Sequence, residues 1–171
     1  MSLQKIAILA MVIIVAASNF LVQFPINAWL TFGAISYPMS FLVTELTNRQ
    51  LGAQVARRVV YFGFIIGVIV SFYLATPIIA LASGTAFLSA QLLDIAVFNR
   101  LRQQAWWYAP FFASLAASFL DTCVFWSIAF WEEPLMFSLA CGDFLIKLTM
   151  DILMLAPFRL AIRRRQQQLY L

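Results

Sequence analysis

The chain alternates between long apolar runs and short polar connections, and each run is long enough to cross a membrane as a helix. About 20 apolar residues span the hydrocarbon core of a bilayer in helical form. The pattern therefore predicts an all-α, polytopic membrane protein with six transmembrane helices in a single domain, residues 1–171. The expected helices cover residues 4–22, 30–48, 57–77, 80–99, 108–131 and 136–160.

Prolines mark most of the expected helix ends. A missing backbone N–H is harmless in a turn or a first helical turn, and five prolines are expected there: Pro25, Pro77, Pro110, Pro134 and Pro157. Pro38 is different, because it falls inside the second helix and predicts a kink or a break. A broken helix often lines a binding site within a membrane, although a kink without function is at least as common.

The basic residues form three clusters that predict the orientation of the chain. They follow the second, fourth and sixth helices, whereas the connection after the fifth carries only Glu132 and Glu133. Because cytoplasmic loops are enriched in Lys and Arg, both termini are predicted to lie in the cytoplasm. The clusters mark helix ends and form no stripe along one face, so no nucleic-acid partner is expected. Their members are Arg49, Arg57, Arg58, Arg100, Arg102, Arg159, Arg163, Arg164 and Arg165.

Composition narrows the class of protein further. Hydrophobic residues make up 64% of the 171 residues and charged residues 11%, whereas soluble domains carry about 25% charged residues. The mean hydropathy is +0.91. With no histidine and no CxxC motif, we expect no metal site, no cofactor, no disulfide framework and no catalytic residues. Cys123 and Cys141 are interpreted as small core residues.

Carboxylates inside the apolar runs are the most informative polar residues. Four aspartates lie within predicted helices and a glutamate lies near the end of another: Asp94, Asp121, Asp143, Asp151 and Glu45. A charge near the bilayer centre costs roughly 2.5–3.5 kcal/mol on insertion scales unless it has a partner, a proton or water. Several such charges in so small a chain predict a polar cavity between helices that accepts a solute.

Most of these acids also have a purely structural interpretation. Asp143, Lys147 and Asp151 recur every fourth residue, so the lysine can pair with either acid in a charge-neutral ladder. Glu45 can pair with the arginine one helical turn further on. Asp94 can extend its carboxylate toward the inner surface.

Asp121 is the acid that a structural role explains least well, because it lies mid-span with no base in its own helix. Carboxylates and amides supply hydrogen bonds and phenylalanines supply flat apolar faces, a combination that suits a small planar heterocycle with N–H donors. A guanine-like edge matches a carboxylate with two hydrogen bonds, and cations or amines fit nearly as well. The expected substrate-binding residues are Asn19, Glu45, Phe87, Gln91, Asp94, Phe98, Asp121, Phe125, Asp143 and Lys147.

The third helix carries a ridge of small residues at four-residue spacing: Gly63, Gly67 and Ser71. Small residues allow two helices to approach closely. The ridge predicts close packing inside the molecule or, alternatively, a homodimer interface.

Several short segments are recognisable. The first half contains Phe24-Pro25, then Tyr37-Pro38-Met-Ser-Phe-Leu-Val-Thr44-Glu45-Leu-Thr-Asn48, then Ala56-Arg57-Arg58. The second half contains Ala90-Gln91-Leu-Leu-Asp94 and Ser118-Phe-Leu-Asp121. Together they resemble the queuosine precursor transporter family, also called the vitamin uptake transporter family, over nearly the whole chain.

That resemblance implies a six-helix carrier in the bacterial inner membrane. Members of the family import 7-deazaguanine bases, the precursors of a modified tRNA nucleoside. The implied fold is similar to that of the substrate-binding subunits of energy-coupling-factor transporters, although the family works without their ATPases. Glu45 stands where many members have Asp, and Arg49 stands where an acidic residue is common.

The mode of action has three candidate forms. The leading hypothesis is a secondary importer in which Glu45 or Asp143 carries a coupling proton, or one that works by facilitated diffusion. A substrate-capturing subunit of an ATPase-driven complex is the first rival, with Gly63 and Gly67 available as its docking surface. A structural membrane protein without substrate is the second.

Overall fold

The computed structural model describes residues 2–24, 26 and 30–168, with residues 164–168 as backbone alone. Seven helices follow one another, and no β-strand occurs in this part of the chain, so the predicted all-α class is confirmed. Pro25, part of one quoted segment, and the side chains of Arg164 and Arg165 lie outside the described set. The helices are α1 (Leu3–Leu21), α2 (Phe32–Ser36), α3 (Met39–Leu51), α4 (Ala53–Leu74), α5 (Pro77–Leu101), α6 (Tyr108–Ala129) and α7 (Met136–Gln168).

Four helices are long and apolar enough to cross a membrane, namely α1, α4, α5 and α6. The other two expected crossings differ for physical reasons. The second is divided between the short helices α2 and α3. The sixth corresponds to α7, which is long enough but carries Asp143, Lys147 and Asp151 within its apolar stretch.

The interruption between α2 and α3 lies at Tyr37 and Pro38. Both residues keep right-handed helical backbone angles, with φ of −57° and −60°. The amide of Ser40 bonds to the carbonyl of Tyr37 at 2.9 Å, three residues back, which is the tighter pattern of a 3₁₀ turn. The chain therefore tightens locally around the proline and does not unwind, and Tyr37 is held at the junction.

Two helix boundaries differ from the expected ones. Only Gly52 separates α3 from α4, so the expected connection over residues 49–56 is almost entirely helical. Gly52 has a φ of 88°, a conformation that favours glycine. Pro157 was expected at a helix end, but it lies inside α7, which continues past residue 160 to Gln168. Prolines are tolerated inside membrane helices where neighbouring groups satisfy the freed carbonyl.

The glycine ridge of α4 packs against α1. A β-carbon on Gly63 would lie 2.6 Å from the Met11 side chain, and one on Gly67 would lie 3.0 Å from Val15. The contacts advance together along both helices, so α1 and α4 run in the same direction. The ridge is therefore covered within the molecule, which excludes this face as a homodimer seam or as a docking surface for a partner.

The basic end of the bundle is tied together by backbone contacts of two arginines. Arg49 Nη1 donates to the carbonyl of Arg102 at 2.5 Å, and Arg102 Nη2 donates to the carbonyl of Arg49 at 3.3 Å. These bonds join the ends of α3 and α5. Because α4 begins directly after α3 and runs parallel to α1, the start of α1 also lies at this end.

The outer surface of the bundle is strongly apolar. Phe72, Tyr73, Trp131 and Phe137 are 72–83% exposed, as expected for side chains that contact lipid. Cys123 and Cys141 are exposed as well. Their interpretation as core residues was wrong. Lipid tails are as apolar as a protein core, so a small apolar residue in a membrane helix is equally stable when it faces lipid.

Gly33 brings α2 into backbone contact with the end of α1. A β-carbon at this position would lie 2.7 Å from the carbonyl oxygen of Ser18 and 2.8 Å from the amide nitrogen of Val22. To avoid these backbone atoms, helices α1 and α2 would have to move apart. Gly33→Ala is therefore expected to destabilise the protein by about 1–3 kcal/mol and to lower its Tm in detergent. Gly84→Ala is the matched control, since it would meet only side-chain atoms, the nearest at 3.3 Å. Equal melting temperatures for the two variants would contradict the prediction.

Candidate functional site

A cavity of about 480 Å³ lies in the half of the bundle away from the arginines. It is lined by the C-terminal parts of α1, α4 and α6 and by the N-terminal parts of α5 and α7, together with α2. The exposed side chains of Gln23 and Glu133 lie at its rim. Pockets of about 300–1,000 Å³ accommodate small organic molecules.

Asp121 of α6 lies at the floor of this cavity and is only 5% exposed. Its Oδ1 accepts a hydrogen bond from the Tyr37 hydroxyl at 2.8 Å, and its Oδ2 accepts one from Lys147 Nζ at 2.7 Å. The break between α2 and α3 places Tyr37, and α7 supplies the base that α6 lacks. Asp121 therefore faces the cavity, and its part in substrate binding stays a prediction.

Lys147 is the centre of the polar network. Its ammonium group contacts Asp121, Asp143 and the Thr122 hydroxyl, the last at 3.2 Å. An ammonium group has three N–H donors, so all three are in use. The lysine thus joins two carboxylates from two helices, and it forms no salt bridge with Asp151 among the residues that the structure describes.

Asp143 concentrates its contacts on one oxygen. Its Oδ2 accepts from Lys147, from Thr122 Oγ1 at 3.0 Å and from Trp126 Nε1 at 3.4 Å. The side chain is 14% exposed, more than that of Asp121, and it lines the cavity. Its Oδ1 is therefore available to a ligand.

Asn19 and two phenylalanines complete the part of the expected site that reaches the cavity. Asn19 donates from Nδ2 to the Val15 carbonyl at 2.9 Å and accepts from Ser71 Oγ at 2.6 Å. One of its two amide hydrogens remains for another partner. Phe87 and Phe125 supply apolar wall surface.

The other four expected residues lie outside the cavity lining, closer to the basic end: Glu45, Gln91, Asp94 and Phe98. Gln91 is fully buried and is held by Ser40 Oγ at 2.8 Å and Thr44 Oγ1 at 2.5 Å. Phe98 packs edge-on against Phe158 of α7, with ring centroids 6.1 Å apart. These two side chains therefore join helices beneath the cavity.

Neither structural alternative for the remaining two acids is observed. Asp94 is 0% exposed, so it does not extend to the inner surface. Glu45 is 3% exposed, and Arg49 is bonded to the carbonyl of Arg102 instead of to this carboxylate.

Sequence reasoning missed two members of the network, Tyr37 and Thr122. Tyr37 carried one usable signal, since it precedes the proline that interrupts the helix. Thr122 follows Asp121 directly, and nothing in its spacing indicated that it would contact the lysine of α7.

Comparison with known proteins identifies transporters as the relatives of this chain. A family model described as putative vitamin uptake transporter matches residues 31–76 and 70–162. The chain is 33% identical over 175 residues to the queuosine precursor transporter of Escherichia coli (strain K12), an alignment that covers 85% of this chain and 79% of that protein. It is 34% identical over 188 residues to the probable queuosine precursor transporter of Haemophilus influenzae, covering 85% and 80% of the two chains. No solved structure is significantly similar to it.

The apolar helices and these relatives define a multi-pass membrane transporter. The chain belongs to the putative vitamin uptake transporter family, and it is similar over most of its length to proteins named queuosine precursor transporters.

Proposed function

We propose that this protein is a secondary transporter that imports a small planar base of the 7-deazaguanine type, a queuosine precursor, across the bacterial inner membrane. One observation carries the proposal: Lys147 holds two carboxylates, Asp121 and Asp143, at the floor of a cavity of about 480 Å³. The names of the two relatives supply the substrate class.

Asp121 has the acceptor capacity that a guanine-like edge requires. An ionised carboxylate offers about four acceptor sites, and Tyr37 and Lys147 occupy two of them. The adjacent ring N–H and amino group of the base would donate to the other two. Asn19 would donate its remaining amide hydrogen to the ring carbonyl.

The cavity walls suit the faces of such a base. Phe87 and Phe125 lie among the lining side chains, and aromatic rings favour stacked or edge-on contacts with a flat heterocycle. In this proposal Gln91 and Phe98 have a supporting role beneath the site, where they join neighbouring helices.

The proposed topology has six crossings, with α2 and α3 together forming the second. The arginine-bearing end then faces the cytoplasm by the positive-inside rule, and both termini lie on that side. The cavity is in the opposite half of the bundle, so it faces outward, which is the orientation of a carrier ready to accept an external solute.

The test is a comparison of two ligands that differ by one donor. We expect 7-deazaguanine to raise the Tm of the purified protein in detergent, since a ligand at 100 times its Kd stabilises the folded state by about 2.7 kcal/mol. The analogue 7-deazahypoxanthine, which lacks the amino group, is the matched control and should raise the Tm much less. Equal shifts for both compounds would reject recognition by a carboxylate, and no shift with any nucleobase or vitamin would reject the proposed function.

A further inference from the structure

Three buried carboxyl groups lie near one another beneath the cavity, and none of them forms a salt bridge in the described part of the chain. Glu45 of α3, Asp94 of α5 and Asp151 of α7 are 3%, 0% and 3% exposed. Glu45 lies within electrostatic range of both aspartates, and the two aspartates lie within range of each other. We refer to these three residues as the acidic cluster.

Most oxygens of the acidic cluster have no hydrogen-bond partner. Both oxygens of Asp94, Oε1 of Glu45 and Oδ1 of Asp151 are buried and unsatisfied. Oδ1 of Asn48, also buried, lacks a partner too, while its Nδ2 donates at 3.2 Å to the carbonyl of Ile95, next to Asp94. Buried polar atoms are nearly always paired. Several unpaired oxygens in one place therefore indicate a site that binds a proton or another hydrogen-bond donor.

Among the residues that the structure describes, no helix that packs against the acidic cluster forms a salt bridge with it. From α7, Lys147 acts on Asp151 only at a distance, since its donors are taken. From α3, Arg49 is bonded to the α5 backbone. From α6 come the neutral Ser118 and the further acid Asp121. The titratable groups at the adjoining end of α4 are exposed: Arg57, Arg58 and Tyr61.

The chemistry of the group points to protons. No set of three or more acids, cysteines or histidines in the described part of the chain is arranged to hold a metal ion. Three buried carboxylates without a base would repel one another and forgo hydration, and each charge costs roughly 2.5–3.5 kcal/mol within a bilayer. Such groups bind and share protons as a unit.

A hydroxyl connects the acidic cluster to the cavity. Ser118 Oγ donates to Asp151 Oδ2 at 2.7 Å. Ser118 lies one helical turn before Asp121 and Thr122, the two α6 residues bound to Lys147 at the cavity floor. Ser118 is therefore the polar side chain on α6 that lies between Asp151 and the cavity floor.

We propose that Glu45, Asp94 and Asp151 form the proton-binding site that couples base import to proton entry. The inference rests on the proposed function. One proton binds the acidic cluster from the cavity side, neutralises one carboxylate, and leaves at the arginine-bearing end as the base is released. Of the two proton carriers considered from the sequence, Glu45 belongs to this site, whereas Asp143 is paired with Lys147.

The experiment uses the full chain in proteoliposomes with radiolabelled 7-deazaguanine outside and a pH-sensitive dye inside. With the outside one pH unit more acidic and the membrane potential held at zero, the wild type is expected to accumulate the base about tenfold, the limit for one proton per neutral base, and to acidify the lumen. Asp94→Asn and Glu45→Gln are expected to bind the base with wild-type affinity in detergent but only to equilibrate it. The control Glu132→Gln, an exposed residue of the α6–α7 connection, should behave as wild type.

Each contrary result has a distinct meaning. Tenfold accumulation by both cluster variants, accumulation without lumenal acidification, or dependence on a sodium gradient would overturn the proton site while leaving base import intact. Failure of the wild type to bind the base in detergent would overturn the proposed function and the coupling with it. Because two isosteric variants and a binding measurement are included, loss of folding in one variant does not decide the result.

Discussion

Asp121→Asn is expected to abolish uptake and to weaken binding of 7-deazaguanine by about 100-fold or more. Hydrogen bonds to a charged group contribute about 1.5–3 kcal/mol each; one of the two from the base is lost when one carboxylate oxygen becomes an amide nitrogen, and the other is weakened because the charge is lost. The new amide also presents N–H donors to Lys147 and to the base, where acceptors are required. The measurement is the Kd of the purified variant together with the initial rate of uptake in cells.

Two comparisons make this result specific to the site. Asp143→Asn is expected to have a smaller effect on affinity, because that carboxylate is more exposed and directs only one free oxygen to the cavity. Glu132→Gln, outside the cavity, should leave affinity unchanged. A Kd for Asp121→Asn equal to that of the wild type would remove this carboxylate from the binding site.

Lys147→Met is expected to have the largest effect on stability. Removing one partner of a buried ion pair costs about 3–5 kcal/mol, because the other charge is left uncompensated. Here two carboxylates lose their base at once, and the Thr122 hydroxyl loses a donor. We expect a large decrease in Tm and in the yield of folded protein in detergent.

The double variant Asp121→Asn/Lys147→Met distinguishes the loss of stability caused by an unpaired charge from the loss caused by altered packing. It removes one positive and one negative charge together, so it should be more stable than Lys147→Met alone. Lys5→Met, at an exposed position of α1, is the control for loss of a lysine as such. Uncompensated buried charge is not the cause if Lys147→Met has the same Tm as the wild type, or if the double variant is less stable than Lys147→Met.

Much of the fold was predictable because apolar length alone identifies membrane helices. Four expected helices match α1, α4, α5 and α6, with ends that differ by a few residues. The α3–α4 boundary was less predictable, since residues 49–56 looked like a loop between two crossings, whereas a single residue, Gly52, makes the turn. Charge marks the membrane boundary but does not mark the end of a helix.

Contacts within one helix of the site could be predicted from residue spacing, but contacts between helices could not. The four-residue interval from Asp143 to Lys147 correctly indicated an ion pair. The second partner, Asp121, comes from α6, and no local pattern could rank it above Asp151. Gln91 and Asp94 showed the same polarity as the cavity residues, yet their depth along α5 places them beneath it.

The likeness between the segments around Asp94 and Asp121 shows this limit clearly. Both segments read Ala, Leu, Asp, Val and Phe at matching positions. Asp121 has Tyr37 and Lys147 as partners, whereas neither oxygen of Asp94 has any. Similar sequences on neighbouring helices thus produced two chemically different carboxyl groups.

The reciprocal bonds between Arg49 and Arg102 have a consequence for turnover. If cargo leaves at the basic end, the tips of α3 and α5 have to separate, and water must then replace both carbonyl contacts. The rate of release to the cytoplasm would then depend on the separation of these two helix ends, which lie far from the proposed binding site. In the proposed topology, Arg49 and Arg102 would thus also limit the rate at which the cytoplasmic end opens.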